Sequence, residues 1–169
     1  MTVQDLETLF DYGYWANGKL FEVVSRLTPE QFTRTVDGSH GSVRNTLVHV
    51  LSAEWVWLGR VGGQERGATL NPADFPTAES IAATWKAVET HLREFLSTLQ
   101  DQDLARDIEF VIGGTKKLSM PVGELLQQAA NHGVHHRGQV SLLLRLLGYS
   151  PENFDILLYF AERHRLRAS

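Results

Sequence analysis

PVGELLQQAANHGVHHRGQVSLLLRLLG, Pro121–Gly148, is the stretch that decides the fold. Proline suits a first helical turn, glycine suits a helix stop, and the apolar residues between them keep helical spacing, so the pattern predicts one unbroken helix ending near Leu147. His132 and His136 stand four residues apart in it, one above the other on the same face, about 6 Å between Cα atoms. Two imidazoles so placed can reach a single ion lying about 2.0–2.1 Å from each ring nitrogen. Seven histidines scattered at random would yield such a pair in roughly a quarter of chains of this length, so a third ligand is needed before the pair means a site. The zinc-protease pattern HExxH is not met, because Gly133 stands where the glutamate base would be. Gly133 and Gly138 each cost about 1 kcal/mol relative to alanine inside a helix. Close approach of a neighbouring helix or ligand would account for them, and so would ordinary helix packing.

Outward from this helix, Leu6, Leu9, Phe10, Tyr14, Leu20, Val23, Val24 and Leu27 recur at three- and four-residue steps and predict a first helix from about Val3 to Leu27. Thr28-Pro29-Glu30 restarts a short turn, and Asp37–Gly41 is loop. A second long helix runs from near Ser42 to about Val61. His49 lies within it, on a stripe with Thr46, Ala53, Val56 and Trp57, where it can offer the third nitrogen or be a core histidine satisfied by a hydrogen bond. Gly62, Gly63, Gly67, Pro72 and Pro76 break the next segment into a long loop. A third long helix opens at Thr77 and continues to Leu99. From Arg106 to Met120, Ile108, Phe110 and Ile112 alternate with Glu109 and Val111 before Gly113-Gly114, which predicts a β-hairpin. A final short helix spans about Asn153–Arg165. The other histidines divide by surroundings: His91 and His164 sit among charges and should be solvated, His135 flanks the His132/His136 face in a supporting or pocket role, and His40 lies undecided in a loop.

The 169 residues are 43% hydrophobic, enough for one domain with a real core. A net charge of -4 offers no basic face for nucleic acid. The acidic start lacks the basic and apolar regions of a secretory signal, and no apolar run reaches membrane-spanning length, so a cytoplasmic protein with no membrane partner is the expectation. Cysteine is absent, so any metal is held by nitrogen and oxygen, and any thiol chemistry uses a thiol brought by the substrate.

Three segments together, YWAN at Tyr14–Asn17, TLVHVLSAEWVWLGR around His49, and NHGVHHRGQ, resemble the DinB/YfiT-like family of metal-dependent enzymes over nearly the whole chain. The resemblance implies an all-α, down-up-up-down four-helix bundle with a small β-hairpin insertion and a short C-terminal helix, as one domain over 1–169. It implies one divalent ion, zinc or nickel, on His49, His132 and His136 plus water. Some members resemble transferases that use a low-molecular-weight thiol such as bacillithiol or mycothiol. The expectation is therefore a metal-dependent thiol transferase acting on an electrophilic substrate, with a metal-dependent hydrolase or a non-catalytic metal-binding protein as alternatives. A homodimer is expected from Trp15, Trp55, Trp57, Trp85 and other apolar positions on the long helices.

Overall fold

In a computed structural model, the chain is described at residues 1–64, 69–112 and 114–168, with side chains through 165. Four long helices, α1 (Val3–Val24), α3 (Val43–Val61), α4 (Ala78–Ser97) and α5 (Val122–Leu146), pack side by side, with α5 against both α1 and α3 and α4 closing the ring. A short α2 (Pro29–Thr33) follows α1, and α6 (Ile156–Ala168) lies against α1. An antiparallel hairpin, β1 (Asp107–Ile112) and β2 (Lys116–Pro121), joins α4 to α5, with Phe110 opposite Leu118.

Local chemistry sets most of the boundaries. Thr2 and Asp5 form a reciprocal cap on α1, Thr77 and Ser80 do the same on α4, and the Ser42 hydroxyl accepts the Asn45 amide to open α3. Each such cap contributes about 1 kcal/mol. The apolar stripes then meet: Leu6 and Leu20 of α1, Leu47 and Leu51 of α3, Ile81 of α4, and Leu125, Leu126 and Leu144 of α5 are all almost completely buried. Each contributes roughly 1.5–3 kcal/mol by leaving water.

Some boundaries differ from the pattern-based expectation. α1 stops at Val24, and Arg26 and Leu27 close it with tighter turns back to Val23 and Val24. Pro121 ends β2, paired with Asp107, and caps α5 from outside the helix. α6 starts at Ile156 because the Asp155 carboxylate takes the Leu157 amide. Gly67 and Gly113, expected as breakers, lie outside the described residues. Among the described residues no helix is long and apolar enough to cross a membrane.

Candidate metal centre

The close packing of α3 against α5 brings the three expected histidines together. His132 Nε2 lies 3.0 Å from His49 Nε2 and 3.0 Å from His136 Nε2. The rings approach edge to face or tilted, with centroids 4.3–4.9 Å apart. A fourth ring joins them from the loop before α3: His40 stacks on His49, centroids 3.7 Å apart and planes 22° from parallel. Ligand atoms of His40, His49 and His136 all fall within 4.8 Å of one another, close enough for three histidines to hold a metal ion. His135 stands at the edge of the cluster, exposed on the flank of α5, with its ring centroid 4.8 Å from that of His136 and its Nε2 bonded to Gln139. His91 and His164 are exposed, as expected.

Hydrogen bonding fixes the proton on one of these rings. His136 Nδ1 donates to Gln139 Oε1 at 2.6 Å, which leaves its Nε2 bare. Burial is the main cause that lowers His49 and His132 to about 4, with the neighbouring histidines adding to it. Burial also pulls His136 down, against the Gln139 hydrogen bond, and pulls His40 down. A neutral ring nitrogen carries either one hydrogen or one lone pair, so His132 Nε2 cannot make a good hydrogen bond to both neighbours at 3.0 Å. Its other nitrogen, Nδ1, is buried without a partner among the described residues. A cation satisfies what hydrogen bonds leave unsatisfied. Two nitrogens about 2.1 Å from one ion stand about 3.0 Å apart at a near-right angle and about 3.4 Å apart in a tetrahedron. The residues present therefore fit a divalent ion.

The lowered values move the expected pH dependence. Free imidazole titrates near 6.5, which would make metal affinity fall between about pH 7 and pH 5. With His49 and His132 near 4, protons compete only at lower pH, and affinity should hold to about pH 5 and fall below it. The linked stability of the metal-free chain has the matching sign. The unfolded state binds more protons between about 6.5 and about 4, so stability is complete above the upper value and is lost toward the lower one. Chelator-competition titrations from pH 4 to pH 7 check this, and a steep loss already at pH 6 would contradict it.

The sequence profile of the DinB family matches residues 1–165. The chain belongs to the DinB family. Protein DinB of Bacillus subtilis (strain 168) is 25% identical over 156 residues, covering 89% of this chain and 91% of the relative. The uncharacterized protein YizA of the same organism is 25% identical over 142 residues, covering 84% of this chain and 87% of YizA. Among solved structures, a DinB-like protein from Bacillus cereus superposes with a TM-score of 0.74 at 25% identity, covering 90% of this chain and 97% of the other. A second, from Bacillus subtilis, gives 0.63 at 19% identity over the same shares and speaks for the fold alone. The bundle, hairpin and final helix expected of the DinB family are those observed.

The YWAN stretch of this DinB-family chain supports the centre from beneath. Asn17 is buried and accepts from the Arg137 guanidinium at 3.4 Å. Arg137, next to the cluster residue His136, is only 3% exposed and lies over the Tyr12 ring. Glu54 is buried on α3, where one of its oxygens accepts from Trp85 Nε1 at 2.9 Å and, more weakly, from the Tyr14 hydroxyl at 3.5 Å. Burial pushes Glu54 up to about 7, partly opposed by the Trp85 bond and the Arg137 charge, and burial with Glu54 nearby pushes the Tyr14 phenol well above its ordinary range. Gly133 now has its reason: a Cβ there would stand 2.9 Å from an Arg137 nitrogen, so the glycine admits a side chain of its own helix. An added Cβ at Gly138 meets nothing within 4 Å, so no packing in this chain explains that glycine. Pattern reading passed over Glu54, Arg137, Gln139 and the placement of His40. The one signal available was Glu54, a charge inside the otherwise mostly apolar stretch Val50–Leu58.

Proposed function

We propose that His49, His132 and His136 hold one divalent ion, zinc or nickel, and that the protein is a metal-dependent transferase joining a low-molecular-weight thiol to an electrophilic substrate. The observation that carries this reading is the convergence of three neutral imidazole nitrogens on one point, with His132 Nε2 3.0 Å from each of the other two. An ion there, held by uncharged ligands, would lower the pKa of a thiol or water in its remaining positions and make it a nucleophile near neutral pH. The protein's own part is to fix the nitrogens, keep them unprotonated and seat the reactants. A cleft of about 240 Å³ between α3 and the Thr69–Pro72 segment, bordered by His40, His49, Asn45 and Ser52, offers room for a small molecule beside His49. A larger groove of about 830 Å³ lies between Arg60 and the hairpin, but no histidine lines it, and we give it no part in the chemistry.

One observation favours a second reading. His40 brings another imidazole to the cluster from a loop, and structural metal sites are usually closed by four protein ligands. The Co²⁺-loaded protein separates the two. An open site is expected to take up small thiols, with a new thiolate-to-cobalt absorption band and a shifted visible spectrum, whereas a site closed by four nitrogens gives a spectrum that thiols leave unchanged. A panel of electrophiles, run with the thiols that bind and with an empty-site control, then tests transfer.

The homodimer stays a proposal on changed grounds. Trp85 is core, Trp57 packs on Phe110, and the Trp15 indole donates to Glu162, so these rings are engaged within the chain. What supports pairing is the outer face of α5, where Val134, Leu142 and Leu146 are 44%, 58% and 62% exposed around the open surface of Gly138.

A further inference from the structure

One side chain outside the histidine cluster ties its parts together. The Gln139 carbonyl oxygen accepts from His136 Nδ1 at 2.6 Å and from the Ser39 hydroxyl at 2.7 Å, while its amide nitrogen donates to His135 Nε2 at 3.1 Å. Ser39 belongs to the strap Gly38–Gly41, whose backbone is left-handed at Gly38, Ser39 and Gly41, with φ of 101°, 50° and 84°. For serine that conformation is costly and persists only where the surroundings hold it. Here they do: besides the Gln139 bond, the Ser39 hydroxyl lies 3.1 Å from the Thr46 hydroxyl, and the His40 carbonyl accepts from Asn45 Nδ2 at 3.2 Å. The strap so held lays the His40 ring on His49 at 3.7 Å.

We propose that Gln139 is a positioning residue that fixes which nitrogen of His136 faces the cluster and, through Ser39, clamps the strap that lays His40 on His49. The first half rests on the metal reading above; the second stands on the strap alone. A ligand histidine whose other nitrogen donates to a fixed acceptor is held in one tautomer and orientation, and loss of such a partner costs about 10–100-fold in metal affinity. Because one oxygen serves both His136 and Ser39, ring orientation and strap closure depend on the same atom.

Zinc affinity by chelator competition, with NMR of the His40 ring protons in metal-free and zinc-loaded protein, tests this in Gln139→Leu, Gln139→Glu and Ser39→Ala. Gln139→Leu is expected to bind zinc about 10–100-fold more weakly. Gln139→Glu, which keeps both acceptor bonds, should stay close to the wild type, and Ser39→Ala should keep its zinc affinity. The His40 protons, shifted by the ring current of His49, should move toward free-imidazole positions in Ser39→Ala and Gln139→Leu and stay in place in Gln139→Glu. Wild-type zinc affinity in Gln139→Leu, an equal loss in Gln139→Glu, or an unmoved His40 signal in Ser39→Ala overturns the proposal. A wild-type protein that binds no zinc sinks the metal reading instead, and the metal-free spectra still decide the strap.

Discussion

His132→Ala is expected to abolish stoichiometric metal binding. His132 is the hub of the cluster, the residue whose Nε2 stands 3.0 Å from both other nitrogens. Apparent binding free energies of about 10–16 kcal/mol at four-ligand zinc sites put each ligand at roughly 2.5–4 kcal/mol, so losing one costs about 10²–10³-fold. The comparison that gives the result meaning is His40→Ala. Ligand atoms of His40, His49 and His136 fall within 4.8 Å of one another, so proximity admits His40 and only orientation speaks against it. His40 lies nearly parallel to His49, and lone pairs of stacked rings do not converge on one ion. His40→Ala should therefore retain metal, as should the exposed control His91→Ala, while His136→Ala behaves like His132→Ala. Metal analysis of the purified variants reads all four, with helical content checked by circular dichroism. Full occupancy in His132→Ala with loss in His40→Ala would falsify the His49/His132/His136 assignment and move the centre to the strap.

The parts of this molecule that could be read in advance are those whose physics is local. Helical spacing of apolar residues placed α1, and the same spacing with a cap at Thr77 placed α4, each to within a few residues. Alternation around Phe110 placed the hairpin, although Val111 and Ile112 both remain exposed and the pattern buries little. His132 and His136 were legible as a pair because one turn of helix suffices to make them neighbours. His49 needed the resemblance as well, since a histidine in an apolar helical segment is just as well explained by the core. His40 was not legible, because its position on His49 depends on three left-handed residues and a bond from Ser39 to a helix one hundred residues away in sequence. Gln139 looks like any polar residue on a helix until its three partners are known. Arg137 and Glu54 escaped notice for a similar reason: a charged residue on a helix reads as exposed until the helices packed over it are known.

The Arg137–Glu54 pair carries the second large expectation, on stability. Arg137→Met should destabilise the metal-free protein by about 1–3 kcal/mol at pH 8, because it removes the buried bond to Asn17 and the positive charge that favours ionised Glu54. Glu54 is buried and held up at about 7 although the Arg137 charge lowers it. Removing that charge drives Glu54 higher still. For Glu54 the folded value lies above the unfolded one of about 4.5, so the folded state binds more protons between the two, and stability falls as pH rises through that window and levels off above it. At pH 5 the Glu54 carboxyl is protonated in the folded state, and there is no anion for Arg137 to compensate. The cost of Arg137→Met should then be smaller than at pH 8, by up to about 1.4 kcal/mol, the most that one pH unit above about 7 can contribute. Glu54→Gln together with Arg137→Met should recover most of the loss at pH 8, since an uncharged pair of similar volume leaves no orphaned charge. Urea unfolding in the presence of a chelator, for the wild type, both single variants and the double, at pH 5 and pH 8, measures the coupling free of metal linkage. A penalty for Arg137→Met that is the same at both pH values, or a double variant no better than Arg137→Met alone, would assign the loss to the packing of the guanidinium between Gly13 and Gly133 and deny the charge pair its role.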